Sequence, residues 1–228
     1  MSHPSGGSAN QDLIDMITAI LWDFGGVLTT SPFEAFSRFE KTQNLQPGFI
    51  RKINSTNPDT NAWAKFERSE VTFAEFDKLF EEEAVALGNA VSGADVVKLL
   101  AGNLRPRMVE ALKICRQQFN CTCLTNNVTA GKGPGMMRDE KALIAVKDVM
   151  GLFRQVIESS KIGLRKPDPR IYEYACEQMG VGPEQVVYLD DLGINLKPAA
   201  KMGMKTIKVV SEAQALEDLE SATGLHFP

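Results

Sequence analysis

Histidine is almost absent from this sequence. Its 228 residues include two, His3 and His226, and each lies within a few residues of a terminus. A Ser/His/Asp or Cys/His hydrolase and a histidine-ligated metal site each need an imidazole well inside the folded chain. Those classes are therefore excluded, and any catalysis has to use carboxylates, lysine, hydroxyl groups or a metal bound by carboxylates.

The chain also lacks a strong excess of charge and a long apolar run. It carries 25 basic and 29 acidic side chains, a formal net charge of −4, whereas nucleic-acid-binding surfaces are basic. Its longest apolar run is about half of what a membrane-spanning helix needs, and residues 1–11 show no export signal. We therefore expect a cytoplasmic protein that binds a small molecule and contacts neither nucleic acid nor membrane.

Cysteine is scarce as well. The four residues, Cys115, Cys121, Cys123 and Cys176, show no CxxC or Cys/His metal-binding spacing. Thiols of a cytoplasmic protein stay reduced. We expect all four to be buried free thiols.

What the sequence does contain is an alternation of short apolar runs with amphipathic stretches. The apolar runs cover residues 16–22, 121–125, 155–159, 185–189 and 206–210. Asp168 and Pro169 form a good helix start between two of them, and Gly180 ends that helix. Such alternation predicts an α/β protein with a doubly wound, Rossmann-like parallel sheet.

One long segment interrupts this alternation. Residues 32–104 show a charged, helical pattern without a strand signal, and Thr72 and Glu75 match a capping box within it. We predict that 32–104 is a helical cap inserted into a core of residues 13–31 and 105–228. Residues 1–12, rich in Ser and Gly, are predicted to be a disordered leader.

Polar side chains follow the predicted strands. Asp23 comes after the first, Thr125 and Asn126 end the second, and Asp190 and Asp191 end the fourth, while Lys166 lies in the loop after the third. Ligands of open α/β sheets bind beyond the carboxyl ends of the strands. Three carboxylates with a hydroxyl, an amide and an ammonium group suit an Mg²⁺ site beside a phosphate pocket.

These residues, in this order, resemble the motifs of the haloacid dehalogenase superfamily, most of whose members are Mg²⁺-dependent phosphatases. The matching segments are Asp23-Phe24-Gly25-Gly26-Val27-Leu28, Thr125-Asn126-Asn127, Gly163 to Pro169, and Tyr188 to Asn195. The amino-acid sequence around Lys166 and Asp190 is similar to the sequences of one branch of the superfamily in particular. That branch contains the phosphatase-like N-terminal domain of soluble epoxide hydrolase and the related domain fused to an acyl-CoA dehydrogenase.

The resemblance implies a role for each matching residue. Asp23 would be the nucleophile that forms an aspartyl-phosphate, with Thr125 and Lys166 as the other catalytic residues. The implied phosphate-binding residues are Gly25, Gly26, Thr125, Asn126 and Lys166. The implied Mg²⁺ ligands are Asp23, the Gly25 main-chain carbonyl, Asp190 and Asp191.

Gly25 departs from the superfamily pattern. The phosphatases carry a second Asp two residues after the nucleophile, and it protonates the leaving alcohol and then activates water. A positioned acid or base contributes about 10² to 10⁴ in rate, so its absence costs roughly 3 to 5 kcal/mol of barrier. We expect a hydrolase of a small phosphorylated substrate that is slow or atypical on ordinary phosphoesters.

Two alternatives stay open from the sequence. One is a domain that binds a phosphoester or a protein partner without turnover. The other is a phosphonatase-like enzyme that cleaves a carbon–phosphorus bond through a lysine of the cap, for which the candidates are Lys41, Lys52, Lys65 and Lys78. The retained Asp190-Asp191 pair argues against a dehalogenase, because dehalogenases of this superfamily work without metal.

Overall fold

The computed structural model describes residues 17–127 and 140–228. Five parallel strands form one sheet in the order β3-β2-β1-β4-β5. The strands are β1 (Ala19–Trp22), β2 (Asn120–Thr125), β3 (Gln155–Glu158), β4 (Val186–Asp190) and β5 (Lys205–Lys208). The predicted α/β architecture with a doubly wound parallel sheet is confirmed.

Five helices lie within the segment 32–104, which follows β1. They are α1 (Phe33–Thr42), α2 (Phe49–Ser55), α3 (Ala62–Glu67), α4 (Phe73–Ala86) and α5 (Gly93–Lys98). They bury an apolar cluster of their own, built around Phe66, Phe76 and Phe80, whose rings pack at centroid distances of 4.3 to 5.5 Å. A separate cluster of this kind makes the inserted helices a packed layer of their own.

Six helices accompany the sheet in the described part of the chain. They are α6 (Pro106–Cys115), α7 (Glu140–Met150), α8 (Ser159–Ile162), α9 (Pro169–Met179), α10 (Gly193–Lys201) and α11 (Glu212–Thr223). Successive side chains of a strand point to opposite faces, and β1 shows the result. Trp22 packs with the apolar residues of α6, α7 and α11, whereas Leu21 packs with those of α9 and α10.

The central strand sets the position of the candidate site. Trp22 of β1 is level with Cys123 of β2 and with Leu189 of β4. The chain runs from β1 outward to β2 and β3 on one side, and then returns to β4 on the other. Ligands of doubly wound sheets bind where the strand order reverses in this way, which here is the edge just after Trp22.

Two chain segments connect the inserted helices to the sheet, and they run side by side. Thr29 pairs with Leu104 in an antiparallel bridge. The Thr30 N–H donates to the Asn103 carbonyl at 2.8 Å, and the Arg105 N–H donates to the Leu28 carbonyl at 2.8 Å. The entry and exit of the insertion are therefore tied to each other close to the end of β1.

Most predicted elements occur with small shifts in their bounds. The capping box of Thr72 and Glu75 is confirmed, as is the helix that Asp168 begins and Gly180 ends. The first strand begins at Ala19 rather than at residue 16. The helix after β4 begins at Gly193, directly after a loop that the Asp190 carboxylate closes by accepting the Leu192 N–H at 2.7 Å. The predicted leader over residues 1–12 lies outside the described residues, and the exact division of the chain into core and cap stays a prediction.

No helix in the described ranges combines the length and the apolar character that a membrane crossing requires.

Candidate active site

Three carboxylates meet at the carboxyl end of the central strands. Asp23 directly follows β1, Asp190 is the last residue of β4, and Asp191 follows it. Each contributes an oxygen to a group in which all three atoms lie within 4.8 Å of one another. The strand-end aspartates identified in the sequence are therefore brought together by the parallel pairing of β1 and β4.

The two oxygens of the Asp23 carboxylate have different surroundings. Oδ1 accepts the Phe24 N–H at 2.7 Å and lies 2.8 Å from the Lys166 Nζ. Oδ2 has no hydrogen-bond partner among the described residues. Two donors thus fix the carboxylate through one oxygen, while the other oxygen accepts no hydrogen bond from the described residues.

Opposing effects act on the ionisation of Asp23. Burial raises the pKa of this carboxyl well above its usual range, and the negative charges of Asp190 and Asp191 add to the effect, while the Lys166 ammonium opposes it. Desolvation and like charges both disfavour the ionised form. A cation placed beside the three carboxylates would shift this balance towards ionised Asp23.

Lys166 is fully buried between two carboxylates. Its Nζ lies 2.8 Å from Asp23 Oδ1 and 2.8 Å from Asp190 Oδ2. Burial by itself lowers the pKa of the Lys166 ammonium, but the charges of Asp190 and Asp23 outweigh it and raise the pKa above its ordinary value. Lys166 therefore stays protonated and acts as a fixed positive charge.

The Asn126 side chain holds the backbone of Lys166. Its Nδ2 donates to the Lys166 carbonyl at 3.0 Å, and its Oδ1 accepts the Lys166 N–H at 2.8 Å. A side-chain amide that pairs with both main-chain groups of one residue fixes that residue in place. The phosphate-binding role that the resemblance implies for Asn126 stays a prediction, and the structure gives its side chain this positioning role.

Asp190 is fully buried and surrounded by donors. Its Oδ2 accepts from the Lys166 Nζ, from the Tyr188 hydroxyl at 2.5 Å and from the Asn195 Nδ2 at 3.1 Å. Its Oδ1 accepts from the Leu192 N–H at 2.7 Å and again from Asn195 at 3.1 Å. The direct effect of Asp190 is to hold Lys166 in place, and its assignment as a metal ligand stays a prediction.

Sequence reasoning gave no role to Tyr188 or Asn195, although both lie in a recognised motif. Tyr188 is two residues before Asp190, so the two side chains share one face of β4. Asn195 lies in the first turn of α10, which brings its amide back to the strand end. These spacings were visible signals that could have identified both residues as partners of Asp190.

Asp191 is less occupied than Asp190. Its Oδ2 accepts from the Ser31 hydroxyl at 3.2 Å, and Ser31 lies in the segment that leads into the inserted helices. Burial raises the pKa of the Asp191 carboxyl to about 6, with the charge of Asp190 as the next cause. The sequence gave no sign of Ser31, because its contact with Asp191 spans 160 positions.

The two glycines after Asp23 differ in their surroundings. Gly26 has a φ of +74°, and a Cβ there would lie 2.2 Å from Asp191 Oδ2. A Cβ at Gly25 would meet nothing within 4 Å. Gly26 is thus required for the close approach of the backbone to Asp191, whereas the space beside Gly25 is open.

Thr125 completes the group at the end of β2. It is buried and lies one residue beyond the level of Asp23, since Trp22 is level with Cys123. Its hydroxyl has no hydrogen-bond partner in the described ranges. A strand-end hydroxyl that the described residues leave unpaired is available to a ligand.

The donor set fits a hard divalent cation. Mg²⁺ prefers oxygen ligands and is usually held by one or two carboxylates. The Asp23 and Asp191 carboxylates accept fewer hydrogen bonds than Asp190, and adjacent carboxylates repel one another unless a positive charge compensates. Asp23 and Asp191 could therefore hold Mg²⁺.

A cap side chain reaches the same region. Glu67, the last residue of α3, is buried and receives the Arg165 Nε at 2.6 Å and the Asn126 Nδ2 at 3.3 Å through its Oε2. Its main-chain carbonyl accepts from the Ser159 hydroxyl at 2.7 Å. The inserted helices are thus bonded to the residues that position Lys166.

The cap lysines named as Schiff-base candidates are not part of this group. Lys41, Lys52 and Lys78 are exposed, and Lys65 is half-buried. In the described part of the chain, the charged groups that act on Asp23 are Lys166, Asp190 and Asp191. The geometry gives no support to the phosphonatase alternative.

Comparison with known proteins assigns the family. The sequence model of the haloacid dehalogenase-like hydrolase family matches residues 17–203. The match covers most of the chain, so the chain belongs to this family. The resemblance seen in its four motifs is confirmed.

Two similar proteins come from the predicted branch. The chain is 30% identical over 219 residues to bifunctional epoxide hydrolase 2 of Mus musculus, which covers 91% of this chain and 39% of that protein. It is 31% identical over 219 residues to acyl-CoA dehydrogenase family member 10 of Mus musculus, covering 92% of this chain and 19% of that protein. The chain therefore spans well under half the length of either relative.

Solved structures show the same fold. A HAD family enzyme of Bacteroides thetaiotaomicron, in complex with magnesium and inorganic phosphate, matches with a TM-score of 0.55 at 20% identity. The match covers 84% of this chain and 93% of that one. The parallel sheet with inserted helices is thus the fold of this family of hydrolases.

Proposed function

We propose that this protein is an Mg²⁺-dependent hydrolase that transfers a phosphoryl group from a small substrate to Asp23 and then to water. The observation that carries the proposal is the asymmetry of the Asp23 carboxylate. Oδ1 is held by the Phe24 N–H and Lys166, while Oδ2 is free. A nucleophile has to be fixed in direction and still present an unoccupied oxygen.

The remaining residues stabilise charge. The Thr125 hydroxyl and the Asn126 main chain bind the oxygens of the transferring phosphoryl group, with the loop at Gly25 and Gly26 beside them. Lys166 neutralises charge shared by Asp23 and the phosphoryl group. Phosphoryl transfer depends mainly on positioning and electrostatic stabilisation, and this group supplies both.

Asp23, Asp191 and the Gly25 carbonyl would hold Mg²⁺, with Asp190 behind them. When bound, Mg²⁺ supplies positive charge that offsets the repulsion among carboxylates and phosphate. The segment 32–104 acts as a cap that excludes water and selects the leaving group. The Bacteroides enzyme, whose fold is similar, binds magnesium and inorganic phosphate, which supports the choice of metal and substrate type.

Replacement of Asp23 tests the proposal. The wild type and Asp23→Asn are compared on a panel of phosphate esters with Mg²⁺ and with EDTA. We expect turnover only by the wild type with Mg²⁺, because an amide oxygen is a poor nucleophile. Equal rates for the two proteins would contradict the assignment. Binding of phosphoesters by the wild type without any turnover would instead favour the non-catalytic alternative.

A further inference from the structure

Gly25, two residues after Asp23, offers no side chain that could donate a proton. Gly25 has no side chain, and a Cβ built there meets no atom within 4 Å beyond its chain neighbours. Its φ is not among the positive values found in this loop, where Gly26 has +74°. A Cβ at this position would therefore meet no steric obstacle, so Gly25 can be replaced by residues with a side chain.

The nearby charged groups each have a hydrogen-bond partner. Lys166 donates to both Asp23 and Asp190. Asp190 is surrounded by donors on both oxygens, and Asp191 accepts from Ser31. Among the described residues, none of these groups fills the space beside Gly25.

This arrangement limits the bond that can break. In the first step Asp23 Oδ2 forms a bond to phosphorus, and the bond from phosphorus to the leaving oxygen breaks. The electron pair departs with that oxygen, which leaves as an anion because no side chain of the described residues is placed beside Gly25 to protonate it. In the second step water attacks phosphorus and the Asp23–phosphorus bond breaks, releasing phosphate, which takes up the protons of the attacking water.

We infer that the substrate is a phosphoryl compound with an acidic leaving group, namely an acyl phosphate or the phosphate ester of a phenol or enol. A carboxylate or phenolate is a stable anion and needs no proton to leave, whereas an alkoxide does. This inference rests on the proposed function, since it assumes that Asp23 attacks phosphorus. The open space beside Gly25 is then available to the leaving group itself.

A leaving-group series tests the inference directly. The kcat/KM of the wild type with Mg²⁺ is measured for 4-nitrophenyl phosphate, phenyl phosphate, acetyl phosphate and a primary alkyl phosphate of similar size. We expect kcat/KM to fall by about 10² to 10⁴ from the most acidic to the least acidic leaving group, the range that a positioned acid contributes. Equal values for alkyl and nitrophenyl phosphate would overturn the inference.

Two variants at one position provide the matched comparison. Gly25→Asp places an acid beside Asp23, and Gly25→Asn places a side chain of the same shape without an acidic proton. We expect kcat/KM for the alkyl phosphate to rise in the aspartate variant and not in the asparagine variant. The dependence of kcat/KM on the acidity of the leaving group should therefore be weaker in Gly25→Asp. A gain of equal size in the asparagine variant would contradict the argument, because shape rather than acidity would then explain it.

The same series separates this inference from the proposed function. Turnover that depends on Asp23 but is insensitive to the leaving group overturns the inference and leaves the proposed function standing. Turnover that persists in Asp23→Asn overturns both. The wild-type series does not depend on the folding of the Gly25 variants, so a variant that fails to fold leaves the test intact.

Discussion

Gly25 and Gly26 are neighbours in the loop after β1, yet they face opposite constraints. The backbone of Gly26 has a positive φ and lies against the Asp191 carboxylate, so that a Cβ there would be 2.2 Å from Asp191 Oδ2. The backbone of Gly25 leaves open space. The loop thus combines a position that only glycine can occupy with a position where glycine leaves room.

The difference between Gly25 and Gly26 predicts how replacing each of them affects the stability of the protein. We expect Gly26→Ala to lower the free energy of unfolding by about 1 to 3 kcal/mol from backbone strain, since alanine is strained in the left-handed region. The collision of its Cβ with Asp191 adds to this loss. The matched change Gly25→Ala should cost less than about 1 kcal/mol. Urea unfolding of both variants measures the difference, and equal losses would show that the close approach to Asp191 does not matter.

At the scale of elements, the contact between α3 and the core is the one most closely linked to the site. Glu67 ends α3 and binds Arg165 at 2.6 Å and Asn126 at 3.3 Å. Asn126 in turn holds both main-chain groups of Lys166. The position of the inserted helices is therefore coupled to the position of Lys166.

Replacing Glu67 tests this contact. We expect Glu67→Gln to destabilise the protein by about 2 kcal/mol, less than the ~3 to 5 kcal/mol for breaking a fully buried pair, because Arg165 keeps some solvent contact. The matched control is Glu70→Gln, which breaks the exposed pair of Glu70 with Arg68 and should change stability by less than about 1 kcal/mol. Urea unfolding compares the two, and a larger loss in the Glu70 variant would rule out the contact as an anchor of α3.

The elements also show what the sequence could and could not predict. The strands, the inserted helices and the capping box at Thr72 follow local patterns, so periodicity and residue type were enough to find them. Asp23 and Asp190 were predictable because parallel strands bring their carboxyl ends to one edge. Contacts that join distant parts of the chain, such as Glu67 with Arg165 or Ser31 with Asp191, have no local pattern, because tertiary packing alone creates them.

At the scale of the whole molecule, the two apolar clusters of the sheet enclose every cysteine. Cys115, Cys121, Cys123 and Cys176 are free and buried, as the sequence analysis predicted. Burial raises the pKa of Cys121 to about 12 and that of Cys176 to about 11. The thiols are therefore protonated and inaccessible in the native fold, and the thiolate is the reactive form.

Thiol reactivity consequently reports on global unfolding. We expect a disulfide reagent such as DTNB to react with none of the four cysteines quickly in the native protein near neutral pH, and with all of them in denaturant. The rate in intermediate urea should follow the unfolded fraction. Rapid modification of a thiol in the native protein would contradict the burial of that residue.

The central claim concerns the whole assembly of sheet, cap and site: Asp23 accepts a phosphoryl group. Because no side chain of residues 17–127 or 140–228 lies beside Gly25 to activate water in the second step, the aspartyl-phosphate should accumulate during turnover of an acidic-leaving-group substrate. Acid quenching during turnover, followed by mass spectrometry of the peptide that contains Asp23, measures it. Phosphate on Asp23 in the wild type, and its absence in Asp23→Asn, is the predicted result; phosphate carried by a different residue during turnover would contradict the account.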